Sequence, residues 1–414
     1  MPRFSHLFTL VLVAVVVAGC TSQGVQTASS QGKASKVNEL MAHPPGSDVV
    51  PTGVVRDISL YLHRMTHEVY PGATMGMWGF SLSEDPASAS VPGPILRVTE
   101  GDTVRVTLRS TVGGFNHTLH FHGQNVPYEM DGVPYMTQDV VEPGDEFTYE
   151  FIAKPAGTYW YHCHVDAQHH IDMGMYGTLI VDPQDQDDDP RYDKEFVMML
   201  DDMDRFHIES GSTPSGTLPQ GGDYYSARDF AERTGNDLVT RNAQVDEALR
   251  QGNTSVRPNR GWYPITYAPY TATYNTWLIN GVSFPYTETL VVKEGDVARV
   301  RLVNAGNSIM TMHLHGHHML VTHKDGVLLE SPYWVDVISI SPGERYDLYV
   351  KMDNPGMWDL HDHIGGHTQN DNIFPGGAMT MLCYEGIDGC AATGGHQHGG
   401  HSGDLLHWSG HELA

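Results

Sequence analysis

The fold is decided by the stretch Gly157-Thr158-Tyr159-Trp160-Tyr161-His162-Cys163-His164, which recurs later in the chain as Gly356-Met357-Trp358-Asp359-Leu360-His361-Asp362-His363. Three other segments recur in the same order with nearly the same spacing. They pair residues 98–102 with 292–296, 120–123 with 313–316, and 142–145 with 341–344. Two copies of one domain explain this order most simply.

The sequence pattern is typical of β-strands. Residues 95–98 and 103–108 alternate in polarity and are rich in β-branched side chains, with a Glu-Gly-Asp turn at 100–102 between them. Long amphipathic helical patterns are rare. The sequence therefore predicts an all-β chain made of two tandem β-sandwiches.

Charge and histidine content narrow the function. The formal net charge of the 414 residues is −26 at pH 7, which argues against a nucleic-acid partner and mildly favours cationic substrates. The 25 histidines outnumber the 24 lysines and arginines together. Histidine is the commonest metal ligand, and here the histidines are clustered.

The N-terminus has the pattern of an export signal. Arg3 precedes an apolar run at 7–18 that is too short to span a bilayer, and the run ends in Val-Ala-Gly-Cys at 17–20. This ending resembles the lipobox of bacterial lipoproteins. We expect a signal peptide at 1–20, lipid on Cys20 that attaches the chain to a membrane, a flexible tether at 21–50, and a periplasmic or cell-surface location. An ordinary secretory signal with an incidental cysteine is the alternative.

The remaining boundaries follow from composition. We expect the first domain at 51–185 and the second at 190–390, divided by an acidic stretch at 182–193. The second domain carries a polar insertion at 205–262, whose middle has a helical pattern, and a His/Gly-rich tail follows at 391–414. Cys383 and Cys390 are close enough to form a disulfide in an oxidising compartment, or remain two thiols.

Strand periodicity sorts the chemical groups of the first domain onto two faces. Because side chains alternate, His120 and His122 share one face of their strand and His117 points to the other. In the same way His162 and His164 share a face and Cys163 points away from it. If the two strands lie side by side, one face presents four imidazoles and the other presents His117 with Cys163.

The second of these faces has the ligands of a blue-copper site. A His₂Cys set with a weak axial methionine is the arrangement used for one-electron transfer by copper. His170 and Met175 follow Cys163 and would complete it. His169 competes with His170 as a ligand, and Met173 with Met175.

The second domain repeats the four-imidazole face but not the blue-copper face. Its two pairs are His313 with His315 and His361 with His363. Met310 stands where His117 stood, and Asp362 stands where Cys163 stood. We therefore predict one blue copper in each chain, in the first domain only.

Four His-x-His pairs, one of them His-Cys-His, resemble the multicopper oxidase family over residues 51–386. This resemblance implies cupredoxin-like Greek-key domains, about four coppers per chain, and O₂ and an electron donor as substrates. It also implies a homotrimer whose trinuclear clusters lie between a first domain and a neighbour's second domain. It assigns His120 and His313 to the type 2 copper, and His122, His162, His164, His315, His361 and His363 to the type 3 pair. Asp131 matches an acidic family position and is the candidate proton relay; a turn residue before Gly132 is the alternative.

Several function classes remain open. The chain is expected to be a laccase-type oxidase of phenols or small reductants, a metallo-oxidase for copper detoxification, or a copper nitrite reductase. A nitrite reductase does not need His122 and His164, so these residues favour an O₂-reducing cluster. A copper-storage or electron-carrier protein would not need the eight outer histidines. Met198, Met199 and Met203 are candidates for capturing copper ions, or else fill a core.

Overall fold

The computed structural model describes residues 36, 38, 40–111, 115–185, 189–204, 274–387 and 390. The chain divides into two units, Met1–Pro44 and Pro45–Ala414, and all of the β-structure below lies in the second. The expected signal peptide with Cys20, most of the tether, the insertion at 205–262 and the tail at 391–414 lie outside the described residues.

In the part of the chain that the structure describes, the first sandwich contains eight strands and one short α-helix, α1 (Ala167–Asp172). The strands are β1 (Val55–Tyr70), β2 (Ala73–Ser81), β3 (Gly93–Thr99), β4 (Thr103–Ser110), β5 (His120–His122), β6 (Glu146–Ile152), β7 (Gly157–His162) and β8 (Tyr176–Asp182). They form two four-stranded sheets, in the orders β2-β1-β4-β6 and β3-β8-β7-β5. The predicted strands at 95–98 and 103–108 are confirmed as parts of β3 and β4.

The second sandwich contains eleven strands among the described residues. They are β9 (Lys194–Met203), β10 (Thr276–Ile279), β11 (Leu290–Val292), β12 (Val297–Asn304), β13 (Met310–Leu314), β14 (Met319–Lys324), β15 (Val327–Val335), β16 (Val337–Ile340), β17 (Arg345–Lys351), β18 (Met357–Asp362) and β19 (Met379–Tyr384). Their two sheets have the orders β10-β9-β12-β17-β14-β15 and β11-β19-β18-β13-β16.

The strand pairing repeats between the two sandwiches. β1 pairs in parallel with β4, as β9 does with β12, and β3 pairs in parallel with β8, as β11 does with β19. The remaining named pairs are antiparallel, and β5 lies beside β7 as β13 lies beside β18. The all-β prediction with two copies of one sandwich is therefore confirmed. Relative to the first, the second sandwich has three additional strands among the described residues: the β14–β15 hairpin at one sheet edge and β16 beside β13.

Three apolar cores hold this architecture. One fills each sandwich, and a third joins them through side chains such as Met75 and Trp160 from the first sandwich and Met199 and Val303 from the second. Burial of apolar surface stabilises such contacts by about 25 cal/mol per Å². The third core therefore helps to hold the two sandwiches together.

Polar groups cross the same boundary. Thr158 of β7 donates from Oγ1 to Asp347 Oδ1 of β17 at 2.6 Å, and accepts from Arg301 Nη1 of β12 at 2.6 Å. Cys383 and Cys390 form a disulfide, with their Cα atoms 5.6 Å apart.

Among the helices of the described residues, none combines the length and apolarity required to cross a bilayer.

Candidate metal centre

The pairing of β5 with β7 produces the two faces that strand periodicity predicts. His120 lies opposite His162, and His122 lies opposite Trp160. Cys163 follows the end of β7 with its side chain in the core of the first sandwich. His117 lies just before β5, where an isolated β-bridge pairs it with Val141, and its side chain lies close to the Cys163 thiol. The pairing of two neighbouring strands of one sheet thus brings residues 117 and 163, far apart in sequence, into one buried group.

The group at that point, which we call the inner cluster, consists of His117, Cys163 and His170. The thiol Sγ lies 3.1 Å from His170 Nδ1 and 3.8 Å from His117 Nδ1. One potential ligand atom from each of the three residues falls within 4.8 Å of the others. All three side chains are buried. The structure therefore directs two ring nitrogens and one sulfur at the same small volume.

The protonation states of the inner cluster suit the binding of a metal cation. Burial raises the pKa of the Cys163 thiol to about 12 and lowers the pKa of His117 to about 3, with the Arg64 charge adding to the latter. Burial also holds the pKa of His170 well below its usual value. Both imidazoles are thus neutral and able to ligate, whereas the thiol needs a nearby positive charge to ionise. Thiolate with two imidazoles is the donor set that copper prefers.

Backbone hydrogen bonds in the loop after Cys163 connect residues 163, 170 and 175. Cys163 N–H donates to the Met175 carbonyl at 3.1 Å, and Met175 N–H donates to the His170 carbonyl at 3.0 Å. Met175 is fully buried in the same core as the thiol. His169 is no member of the inner cluster, and its ring lies 5.9 Å from that of His170. Met173 is only partly buried, and its carbonyl accepts a hydrogen bond from Trp78 N–H.

The sheet that contains β5 and β7 has the inner cluster on its core-facing side. Its other side carries the first histidine set: His120, His122, His162 and His164. His120 lies at its centre, with its ring centroid 5.3 to 5.5 Å from those of the other three. His120, His122 and His162 bring one ring nitrogen each within 4.8 Å of one another. Burial lowers the pKa of His122 to about 3, with the charge of Arg345 contributing, and holds the pKa of His162 well below its usual value.

The second sandwich carries a second histidine set: His313, His315, His361 and His363. The ring centroid of His313 lies 4.7 Å from that of His315 and 5.5 Å from that of His363. His315 Nε2 and His361 Nε2 are 3.0 Å apart. His315 and His363 are exposed, so this set is far more open to solvent than the first.

Matching hydrogen bonds orient the two sets. His120 Nδ1 lies 2.7 Å from the Asp131 carbonyl, and His313 Nδ1 lies 2.7 Å from the Asp336 carbonyl. In the same way, His162 Nδ1 lies 2.9 Å from the carbonyl oxygen of Cys163, and His361 Nδ1 lies 2.8 Å from that of Asp362. An Nδ1–H that donates to a carbonyl leaves Nε2 as the ligand atom and fixes the ring. Four imidazoles are thereby prepared for a metal ion.

Among the described residues, the second sandwich has no counterpart of the inner cluster. Asp362 N–H donates to Ala378 O and Ala378 N–H donates to His367 O, which repeats the backbone pattern of residues 163, 175 and 170. Asp362, Ala378 and His367 therefore stand in those three places. Asp362 Oδ2 lies 2.8 Å from His367 Nδ1, and Asp362 Oδ1 accepts from Thr311 Oγ1 at 2.6 Å. A hydrogen-bonded carboxylate replaces the thiolate, as the prediction of one blue-copper site requires.

Asp131 lies at the edge of the first histidine set. Its Oδ1 is 3.4 Å from His120 Nδ1, and the side chain is 37% exposed. The hydrogen bond to His120 lowers the pKa of Asp131. Gly132 follows at φ +78°, where a Cβ would collide with the Leu119 carbonyl, so the turn fixes Asp131 against β5. Asp131 is both a turn residue and a neighbour of a candidate ligand.

Sequence reasoning missed Trp160 as part of the site. Its indole stacks on the rings of His122 at 4.9 Å and His162 at 4.3 Å, with interplanar angles of 27° and 29°. The period of two along β7 places Trp160 on the same face as His162 and His164, so the signal was present in the motif. The indole holds two candidate ligands in a fixed geometry.

The methionines considered for copper capture are core residues. Met198 packs in the second sandwich, and Met199 and Met203 pack in the core between the sandwiches. Their exposed fractions are 2% or less. The apolar interpretation of these three residues is therefore the correct one.

This chain belongs to the multicopper oxidase family. Two family sequence models, both described as multicopper oxidase, match residues 87–186 and 259–374. The matched stretches contain every member of the inner cluster and of both histidine sets. The fold, two sandwiches built on four sheets, agrees with this membership.

Particular relatives support the same conclusion. The blue copper oxidase from Nitrosomonas europaea is 32% identical, with a TM-score of 0.63 over 83% of this chain and 91% of that one. The multicopper oxidase mgLAC is 33% identical, with a TM-score of 0.62 over 81% of this chain and 87% of that one. Copper resistance protein A of Pseudomonas syringae pv. tomato is 31% identical over 64% of this chain and 42% of its own length. The chain thus spans less than half the length of that relative.

Proposed function

We propose that this chain is a copper-dependent oxidase that accepts electrons singly from a reductant and uses four of them to reduce O₂ to water. The observation that carries the proposal is the segment His162-Cys163-His164. Its thiol belongs to the inner cluster, and its two imidazoles belong to the first histidine set. One tripeptide therefore joins the inner cluster to the first histidine set.

The resemblance to multicopper oxidases assigns these residues to copper ions. His117, Cys163, His170 and Met175 would hold a type 1 copper, and His120 and His313 a type 2 copper. His122, His162, His164, His315, His361 and His363 would hold a type 3 pair, for about four coppers per chain. Copper bound at the first site would supply one-electron chemistry, and copper bound at the others would supply the reduction of O₂.

The protein's own contribution is a short, rigid connection. Cys163 is covalently bonded to both flanking histidines, and His162 Nδ1 lies 2.9 Å from the Cys163 carbonyl. Trp160 stacks on His122 and His162 and excludes water from one side of the first set. Fixed ligands lower the reorganisation that accompanies electron transfer.

A nitrite reductase would need less than this chain provides. A mononuclear outer site requires no His164 and no complete set of four His-x-His pairs. His164 lies 5.4 Å from His120 and 5.9 Å from His162 between ring centroids, as a full member of the first set. We therefore prefer O₂ over nitrite as the electron acceptor.

The direct test is the stoichiometry of O₂ consumption by the copper-loaded protein. We expect four electrons from the reductant for each O₂, with no hydrogen peroxide released, so that added catalase returns no O₂. Consumption of two electrons per O₂ with peroxide release, or reduction of nitrite without O₂ uptake, would contradict the proposal.

We also propose that the chain works as a homotrimer. The ring contacts of the described residues join histidines within each set, and none joins the first set to the second. The second set is exposed at His315 and His363. A neighbour's first set placed against it would complete eight ligands and bury both.

Mixed trimers provide the test of shared sites. Co-expression of Cys163→Ser and His361→Gln chains unites an intact first domain with an intact second domain at some interfaces. Random mixing predicts about a quarter of wild-type O₂ consumption, since each interface needs two intact halves. The separately purified variants serve as the control. Complete inactivity of the co-expressed, copper-loaded trimers would place the cluster within one chain.

Export and lipid attachment at Cys20 remain part of the proposed function. They rest on the apolar run at 7–18 and the Val-Ala-Gly-Cys ending at 17–20. A copper-loaded thiolate site agrees with a compartment outside the cytosol, as does the disulfide between Cys383 and Cys390.

We propose that the partly exposed Asp131 carboxylate relays protons to the first histidine set, taking each one from solvent before passing it on. Asp131→Asn keeps the shape of the turn but cannot donate a carboxyl proton, so kcat for O₂ consumption is expected to fall about 10- to 100-fold. Reduction of the blue copper without O₂ should keep its wild-type rate. Asp139→Asn, an exposed change eight residues away, is the control. Equal kcat values for the two variants would remove Asp131 from the proton path.

A further inference from the structure

His122 belongs to the first histidine set, but no hydrogen bond orients its ring. His120 Nδ1 and His162 Nδ1 lie 2.7 and 2.9 Å from a carbonyl oxygen, whereas the ring of His122 has no hydrogen-bond partner among the described residues. One nitrogen from each of these three rings nevertheless lies within 4.8 Å of the others. The direction in which His122 points therefore depends on packing.

Two contacts pack the ring of His122. Trp160 of β7 stacks on it, with ring centroids 4.9 Å apart and an interplanar angle of 27°. The second contact comes from the second sandwich, where the turn between β16 and β17 places Gly343 at the edge of the ring. A Cβ built on Gly343 would lie 3.2 Å from His122 Cε1 and 3.5 Å from His122 Nε2. Apart from its chain neighbours, that Cβ would meet no other described residue within 4 Å.

The backbone of the turn 341–344 sets how closely it approaches His122. Gly343 has a φ of +82°, in the left-handed region that favours glycine. Its N–H donates to the Asn304 carbonyl at 2.8 Å, and Glu344 N–H donates to the Ser341 carbonyl at 3.0 Å. A glycine at this position lets the turn touch the edge of the imidazole that carries a candidate ligand atom.

Arg345 fastens this turn against β7. Its side chain is only 5% exposed, although it is charged. Nη1 donates to the Gly343 carbonyl at 2.8 Å and lies 3.4 Å from Asp325 Oδ1, and Nη2 donates to the Asp325 carbonyl at 3.1 Å. The guanidinium carbon lies 5.7 Å from the ring centroid of Tyr159, the residue before Trp160. A buried cation with these fixed partners holds the turn in one position.

The residue after His122 also leaves room for Arg345. Gly123 has a φ of +90°, and a side chain there would collide with Arg345 Nη2. Arg345 therefore contacts both the segment that follows His122 and the turn that packs on its ring.

We propose that the turn 341–344 and Arg345 are positioning elements for His122, so that the second sandwich of a chain sets the geometry of the first histidine set of the same chain. The inference rests on the proposed oxidase function, because that function makes His122 a metal ligand. Gly343 and Arg345 hold the imidazole in place and are not ligands themselves. A ring supported on two sides keeps its nitrogen aimed before a metal ion arrives.

Gly343→Ala tests the contact between the turn and His122. The added methyl would lie 3.2 Å from Cε1, which is closer than ordinary van der Waals contact, so the ring has to move. Two Cu(II) ions held close together couple their spins and are silent in electron paramagnetic resonance. In the copper-loaded, full-length variant, the visible fraction of the bound copper is expected to rise from about a half to nearly all. The blue absorption should keep its wild-type intensity per bound type 1 copper.

Gly144→Ala is the matched control. Gly144 occupies the corresponding turn of the first sandwich, has a φ of +94°, and would meet nothing within 4 Å through an added Cβ. The control therefore carries the same backbone strain without the contact to His122, and its visible copper fraction should stay at the wild-type value. Equal fractions in the two variants, whether unchanged or raised, would overturn the proposal.

Arg345→Lys tests the fastening of the turn and leaves Gly343 in place. One ammonium group keeps the charge but cannot reproduce the fork that donates to two carbonyl groups. The visible copper fraction is expected to rise, by less than in Gly343→Ala. Arg301→Lys is the control, since Arg301 is also buried and donates to Thr158 Oγ1 across the same boundary at 2.6 Å, while none of its hydrogen bonds reaches the turn. Equal responses would indicate general loosening between the sandwiches and contradict the proposal.

A measurement on the copper-free, full-length protein separates this inference from the proposed function. Deuterium exchange at the imidazole Cε1–H, followed by mass spectrometry, reports on the edge of His122 that the turn covers. Exchange at His122 is expected to be several-fold faster in Arg345→Lys than in the wild type, and unchanged in Arg301→Lys. An unchanged rate in Arg345→Lys would overturn the positioning role of Arg345. A copper-loaded wild type without a silent copper pair would refute the oxidase function and leave the exchange result standing.

Discussion

Cys163→Ser chains are expected to lose the intense blue absorption and to consume O₂ no faster than buffer does. The Cys163 Sγ lies within 3.8 Å of both Nδ1 atoms of the inner cluster, and a serine hydroxyl there is neither a soft donor nor an anion. Electrons from the reductant would then have no acceptor connected to the histidine sets. The measurement pairs a visible spectrum with an oxygen-electrode assay of the copper-loaded variant.

The variant must remain folded for this result to count. A hydroxyl in the fully buried place of Cys163 costs about 1–3 kcal/mol in unfolding free energy if it finds no partner. Val165→Thr introduces a hydroxyl two residues away in the same core and is the matched control, with blue colour and turnover retained. Copper should still bind the histidine sets of the serine variant. A persistent intense visible band in that variant would refute the assignment of the inner cluster.

His361→Gln chains are expected to show the complementary loss. His361 contacts His315 through Nε2 at 3.0 Å and is remote in sequence from every member of the inner cluster. The variant should keep its blue band and be reduced anaerobically at the wild-type rate, because residues 117, 163 and 170 are unchanged. Reoxidation by O₂ should be abolished, and the copper content should fall from about four to about one or two per chain.

His318→Gln provides the control for this variant, since His318 is an exposed histidine three residues after His315. It should retain both half-reactions. Normal reoxidation of the His361→Gln protein by O₂ would show that the second histidine set has no part in O₂ reduction. Together, the serine and glutamine variants separate the site that accepts electrons from the site that delivers them.

The sequence predicted most of the fold because the repeat and the period of two are strong signals. Opposite faces for His117 and His120 follow from strand alternation alone, and the structure places these two side chains in different clusters. The distinction between His169 and His170 could not be derived that way. Both lie in α1, and the structure places the His170 ring against the thiol, with Nδ1 3.1 Å from the Cys163 Sγ.

The contacts of Trp78, which lies beside the rings of His117 and His170, were beyond sequence reasoning. Arg64 and Trp78 face each other only because β1 pairs with β2 in one particular register. Phe115 reaches Trp78 from a separate loop. Register and loop path depend on the whole sandwich, so no local pattern announces this contact.

Copper content per chain tests the central claim most directly. The purified protein would be reconstituted with copper, desalted, and measured by metal analysis against its peptide concentration. About four coppers per chain, one of them blue, is the result that a type 1 site with a trinuclear cluster predicts. About two coppers per chain would contradict it and would indicate the arrangement of a nitrite reductase, with a single mononuclear outer site.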